Sequence, residues 1–362
     1  MSISDAPNPS EAPGFPPEGE VISTDRYVAP HLKPESYPGE FPSEPYVLME
    51  GTRLFKVEYD ADANVFNVHT AEGQHNLDEE LTGLGVAPMH ERFPVTVFGS
   101  NRNPGQLFDK FQPKPKKGEE PPDPKLAIVP MMRGTLKGYD AVYNAKVGNF
   151  GYFFADLYQG PETAETEIEV AVLFATREQL DIINESEKAY DYTLVGEVEL
   201  GKELDIDSPG LMRVPAYAHI VKGSVWVGGE GEDKHPVALT EIRATNRQLP
   251  ELDQVEFADT FFAHDPNGLK AQAISDVAGQ PVSDNFGETY REWMKMERAG
   301  GKLKLAPRKA FQHALIDATG DEEQITVDPE QFKTDHLKVD WDKHKLPNMG
   351  EASAIYLSAN II

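Results

Sequence analysis

The sequence predicts an α+β protein with a strand-rich body, and three observations carry that expectation. Between about residues 93 and 250, short runs rich in Val, Ile, Tyr and Phe recur at strand length, several with period-two alternation. Two short helical signals interrupt them, each with its own cap. The composition changes before residue 46 and after 250. The chain therefore divides into a Pro-rich segment (1–46), a hairpin lead-in (47–92), the body (93–250) and a carboxy-terminal extension (251–362).

Residues 1–46 hold ten of the 29 prolines among Glu, Ser and Gly. Such a segment buries too little apolar surface to offset its ordering entropy. Two readings stand: a disordered tail, or an arm docking on a neighbour through Phe15, Tyr27, Tyr37, Phe41 and Tyr46. "RLFKVEYDADANVFNVHT" (53–70) reads as a hairpin turning between Asp60 and Asn64. Its acids imitate a calcium loop, but Val65 stands in the glycine position and Ala71 in that of the final Glu. "PKPKKGEEPPDPK" (113–125) reads as a solvated insert. In the body, strands are expected in "KLAIVPM", "LKGYDAVYNA", "EIEVAVLFA", "YTLVGEVEL", "VPAYAHIV" and "PVALTEI". "VGGEGEDKH" (227–235) reads as a hairpin turn, since no helix follows as a phosphate loop requires. Past residue 250, "GETYREWMKMERAGG" and "APRKAFQHALIDATG" read as helices stopped at Gly300 and Gly320. The apolar end "SAIYLSANII" reads as a strand that must pair in its own core or on a partner's sheet edge.

Bulk chemistry narrows the function. The chain has 61 acidic and 34 basic residues, a formal net charge of −27. That sign repels phosphate backbones and anionic lipid, so neither nucleic acid nor membrane is expected as a partner. No cysteine is present, which removes disulfides, thiolate nucleophiles and cysteine-held metals. His336, Asp340, Asp342 and His344 alternate charge in a polar tract and read as a solvated face, so no metal site is expected. The amino terminus lacks a basic and then apolar leader, and no run approaches the ~18 apolar residues of a membrane span. The expectation is a soluble, cytoplasmic protein.

Two segments carry candidate chemistry. In "FPVTVFGSNRNPGQL" (93–107) a strand-like run meets Gly99-Ser100-Asn101, and Asn103-Pro104 then starts a helix: a capping side chain, followed by a residue with no N–H to satisfy. Backbone N–H groups and a helix dipole converge there, and glycine permits close approach, a recipe for holding a carboxylate or oxyanion. In "LFATREQLDIINESEKAYDY" (173–192), Thr176 and Gln179 form a capping box. Leu180, Ile183 and Glu187 then share one helix face, with Glu185 on another. A carboxyl on the buried face would have its neutral form favoured by desolvation. The alternative is a Glu at a fraying helix end.

In their order and spacing these segments resemble the gamma-glutamylcyclotransferase-like superfamily. Phe98-Gly99-Ser100-Asn101 stands where the family carries Tyr-Gly-Ser-Asn, and "RGTLKGYDAVYNA", "GNFGYFFADL", "VAVLFATREQLDIINESE" and "VPAYAHIV" follow as similar segments. The resemblance covers about residues 95–250. It implies a small mixed β-barrel of that type with flanking helices, here with an amino-terminal arm and a carboxy-terminal extension. It implies that Phe98, Gly99, Ser100 and Asn101, with Tyr192 and Tyr217, bind the substrate, and that Glu187 is the catalytic acid/base. The implied reaction is cyclisation of a γ-glutamyl-type amine, as a lyase or transferase, with no metal or organic cofactor. Phe98 lacks the family's tyrosine hydroxyl, and Asp156 stands where a small or hydroxylic residue is usual. The other reading is a non-catalytic assembly subunit using the fold as a scaffold. It would form a homo-oligomer or larger protein assembly through residues 1–46 and the terminal strand.

Overall fold

Short alternating runs joined by tight turns favour antiparallel pairing, and that pairing dominates the observed architecture. The computed structural model describes residues 22–33, 36–60, 62–147, 152–187, 190–202, 204, 210–221, 224–228, 234–263 and 324–326. The expected helices after residue 285, the charged tract 336–344 and the terminal strand lie outside the described residues.

After β1 (Ile22–Ser23), the strands β2 (Tyr46–Met49), β3 (Arg53–Asp60), β4 (Val65–Thr70) and β5 (Gly73–Asn76) form a meander, with β1 on the edge of β3. The β3–β4 turn is made by Asn64 in the left-handed region (φ 54) and by the Asp60 carboxylate, which accepts the N–H groups of Asp62 and Ala63. Helix α1 (Leu77–Gly83) follows directly, its first N–H groups capped by Asn76. The strand β6 (Phe93–Val97) leads to α2 (Pro104–Phe111), then β7 (Val129–Lys137), β8 (Asp140–Val147), β9 (Phe153–Tyr158) and β10 (Glu167–Ala175). Gly138, at φ 84, makes the β7–β8 turn. Helix α3 (Arg177–Ser186) leads to the pair β11 (Tyr190–Leu200) and β12 (Met212–Val221), with a bulge between Leu194 and Gly196. The remaining elements are β13 (Ser224–Gly228), β14 (His235–Pro236), β15 (Ala238–Leu239), β16 (Ala244–Thr245), β17 (Glu251–Leu252), α4 (Gln254–Ala263) and β18 (Gln324–Thr326).

β7 is the axis of the first sheet. One edge pairs with β10, and the other pairs with β2 near its start and β11 near its end. The far edge of β10 carries β6 and β16, and β11 carries β12. The second sheet runs β14–β13–β8–β15–β17, with β9 on β8 and β18 on β13; its β15–β17 contact is parallel.

Four expectations need correction. The strands do not close into a small barrel: β12 lies beside β6, yet among the described residues no ladder joins them, so the sheet stays open. "PVALTEI" is not one strand. Its Pro236 lacks a ladder N–H, and the segment breaks into β14 and β15. The core runs past residue 250, because Phe257 of α4 stacks on Tyr143 at 3.8 Å and meets Trp226 edge-on at 4.9 Å. The part of the Pro-rich segment that is described packs on its own domain, with Tyr27, Tyr37 and Tyr46 all buried.

One residue fastens that arm. Asn103 Oδ1 caps α2 by accepting the Gln106 N–H at 2.9 Å, while its Nδ2 donates to the carbonyls of Val28 and Glu40. Gly105, in the first turn of α2, lies so close to the arm that a Cβ there would collide with the Tyr27 carbonyl. Backbone cannot yield as a flexible side chain can. Gly105→Ala is therefore expected to destabilise the fold by about 1–3 kcal/mol, the usual cost of overpacking, as read by urea denaturation followed by tyrosine fluorescence.

Candidate functional site

Every residue of β6 is buried, so the strand delivers Phe98 and Gly99 to the interior before a 3-10 turn at Ser100–Arg102 and the start of α2. In that turn the N–H groups of Arg102 and Asn103 are taken by the carbonyls of Gly99 and Ser100. The N–H groups of Ser100 and Asn101, first in the turn, meet no acceptor among the described residues, as the geometry of a helical start dictates.

α3 arrives from the other side. Thr176 and Gln179 form the expected capping box, and Leu180 and Ile183 are fully buried. The helix stops at Ser186, and Glu187 is its carboxy-terminal cap, with its N–H on the carbonyls of Ile183 and Asn184. Glu187 thus stands at a helix end and still turns inward, its side chain only 18 % exposed.

The two segments meet at one carboxylate oxygen. Glu187 Oε1 accepts from Asn101 Nδ2 at 3.0 Å and from Lys110 Nζ at 2.9 Å, with the Ser186 hydroxyl at 3.5 Å. Lys110 also donates to Asn101 Oδ1 at 2.6 Å, closing a three-membered network. Glu187 Oε2 has no hydrogen-bond partner among the described residues.

Burial alone would raise the Glu187 carboxyl. The Lys110 charge and the hydrogen bonds from Lys110 and Asn101 outweigh it and hold the carboxyl below the ordinary 4.5. This corrects the expectation of a carboxyl kept neutral by desolvation: the counter-charge and hydrogen bonds favour the ionised form of Glu187. The ion pair also offsets the unfavourable position of a negative charge at a helix carboxy terminus.

Around this network lies a cavity of about 300 Å³. Phe98, Gly99, Ser100, Asn101 and Glu187 all line it, as the sequence predicts. Tyr37, Lys110, Tyr152, Phe154, Tyr190 and His219 are among its other wall residues. Burial raises Tyr37, Tyr152 and Tyr190 above the ordinary phenol value, so each stays protonated at neutral pH. Burial pushes His219 down to about 4, so its ring is neutral there, and its Nε2–H donates to Asn184 Oδ1 at 2.9 Å.

Tyr192 and Tyr217, which the resemblance assigns to substrate, are not among the residues that line the cavity. They stack on each other at 5.5 Å, and the Tyr192 hydroxyl donates to the Pro94 carbonyl at 3.3 Å. His219, two residues further along β12 from Tyr217, takes the place at the wall. One step of two residues moves a side chain by about 7 Å, enough to carry Tyr217 away from the pocket.

Sequence reasoning also missed Lys110. Its signal is its position: three residues after the buried Leu107 and one before the buried Phe111, a charge on the border of an apolar face. Among the described residues no three His, Asp or Glu side chains converge as metal ligands would, and no helix is long and apolar enough to cross a membrane. No family model, curated protein or solved structure matches the chain.

The site combines a carboxylate with one oxygen unpartnered among the described residues, two backbone N–H groups without an acceptor among them, and a lysine that holds the carboxylate. Such a set can move a proton from an amine and stabilise negative charge developing on a nearby carbonyl.

Proposed function

We propose that the chain is a gamma-glutamylcyclotransferase-like protein that closes a γ-glutamyl-type amine to 5-oxoproline. The observation that carries this reading is the division of labour on Glu187: Oε1 is held by Asn101 and Lys110, and Oε2 has no partner among the described residues. In the proposed step Oε2 takes a proton from the substrate's α-ammonium group. The freed amine attacks the γ-carbonyl carbon, forming the ring C–N bond, while the Ser100 and Asn101 N–H groups hold the oxygen as it becomes negative. The original C–N bond breaks as Glu187 returns that proton to the leaving nitrogen, and the surplus proton on the ring nitrogen passes to the departing amine, giving neutral 5-oxoproline and an ammonium product. The cavity volume suits a small amino-acid derivative. The order from β6 and its turn through β7, β8 and β10–α3 to β11–β12 follows the order of motifs on which the resemblance rests, in an open sheet instead of a closed barrel.

The test is chromatographic: purified protein is incubated at neutral pH with γ-glutamyl amino acids and γ-glutamyl alkylamines, and 5-oxoproline and free amine are quantified together. Equimolar release of both supports the reading, and no turnover across the set refutes it.

A second reading, an assembly subunit, is favoured by one observation. The arm exposes Val28 at 47 % and Leu32 at 61 % within five residues, and apolar side chains of that size are often covered by a partner. It predicts an oligomer by light scattering that Val28→Ser/Leu32→Ser disperses. A monomer in both forms excludes it.

A further inference from the structure

Tyr37 reaches the cavity from the amino-terminal arm, far in sequence from the rest of the site. It is 3 % exposed, and its ring stacks on Tyr152 with 4.5 Å between centroids and 18° between planes. Its hydroxyl oxygen accepts the Ala155 N–H at 3.1 Å. Among the described residues no group accepts the Tyr37 proton. A buried hydroxyl whose proton has no acceptor costs stability until something takes it.

The hydroxyl is aimed at the Gly-Ser-Asn turn. A Cβ on Gly99 would lie 2.7 Å from Tyr37 Oη, so glycine is what lets the phenol reach the turn. The adjacent Tyr152 hydroxyl is paired with the Ser100 side chain, and Phe98 offers no polar group. Tyr37 and the Ser100–Asn101 turn therefore line one cavity, and among the described residues neither the Tyr37 O–H nor the N–H groups of Ser100 and Asn101 have an acceptor. Lys110, 2.9 Å from Glu187, balances the negative charge that would otherwise repel an anion there.

We propose that Tyr37 is a ligand-binding residue, its hydroxyl donating to a carboxylate or carbonyl oxygen of a small molecule held at the Ser100–Asn101 turn. The arm is then a wall of the site, and filling the site ties the arm down. The proposal rests on the same cavity as the cyclising reading and needs no turnover.

The experiment follows the Cζ resonance of Tyr37 in protein labelled with [¹³Cζ]tyrosine, identified by its loss in Tyr37→Phe. Sodium acetate and 5-oxoproline are titrated separately at constant ionic strength. The expected result is a saturable shift of the Tyr37 resonance with both, and about tenfold weaker 5-oxoproline binding by Tyr37→Phe, the worth of one neutral hydrogen bond. Tyr37→Phe also strips the Ala155 N–H of its acceptor, so the titration of the unaltered protein is the deciding arm. A Tyr37 resonance unmoved by either probe overturns the proposal, as does an unchanged affinity in a folded Tyr37→Phe. A shift with acetate alone keeps Tyr37 as a donor and removes the cyclising reading.

Discussion

Glu187→Gln is expected to lower kcat for 5-oxoproline formation by about 10²–10⁴-fold, the range that a positioned general base contributes. The substitution conserves shape and keeps an amide oxygen for Asn101 and Lys110, so the fold should persist. It removes the open carboxylate oxygen that would take the α-ammonium proton. KM should change far less than kcat if the residue acts chiefly on the proton in flight. A variant with near-normal kcat would place the base elsewhere.

Lys110→Met is expected to have the second-largest effect, visible in both stability and pH dependence. Lys110 and Glu187 are 9 % and 18 % exposed at 2.9 Å, and removing one partner leaves a largely buried carboxylate without its counter-charge. Breaking such a pair costs roughly 3 kcal/mol at neutral pH, the low end for buried pairs because Glu187 keeps some contact with water. The pH dependence follows from the direction of the shift. In the unaltered protein the folded-state Glu187 carboxyl lies below its ordinary value, so the pair contributes stability above the unfolded-state pKa. That contribution disappears as pH falls through the folded-state pKa. Without Lys110, burial dominates and the carboxyl moves above its ordinary value, so the variant loses stability as pH rises through that raised pKa. The gap between the two proteins in denaturant midpoint should therefore be widest near pH 7 and narrow on acidification. The acid limb of turnover should move upward in the same variant.

What the sequence makes legible here are the contacts between near neighbours. Asn103 capping α2 and Thr176 boxed with Gln179 each join residues three apart, and such signals survive in a linear string. The spacing of Leu180, Ile183 and Glu187 likewise points the carboxylate inward, and "EIEVAVLFA" coincides with β10. The state of that carboxylate is not legible. Its partner Lys110 lies 77 residues away, and only folding shows that this charge outweighs burial. Tyr37 is hidden for the same reason: its contact with Ala155 spans 118 residues, and its Pro-rich setting suggests a tail. Tyr217, which the resemblance alone assigns to substrate, lies outside the cavity lining, and His219 two residues along the strand stands there. The open sheet in place of a closed barrel depends on whether β12 and β6 share a ladder, which no local pattern encodes.

The proposed step needs Glu187 ionised inside the cavity, and carboxyl titration by ¹³C NMR measures that directly. With [¹³Cδ]glutamate labelling and Glu187→Gln to assign the resonance, the Glu187 midpoint should fall below the ordinary 4.5 and rise above it in Lys110→Met. A midpoint at or above the ordinary value in the unaltered protein would contradict the assignment of Glu187 as the resting base.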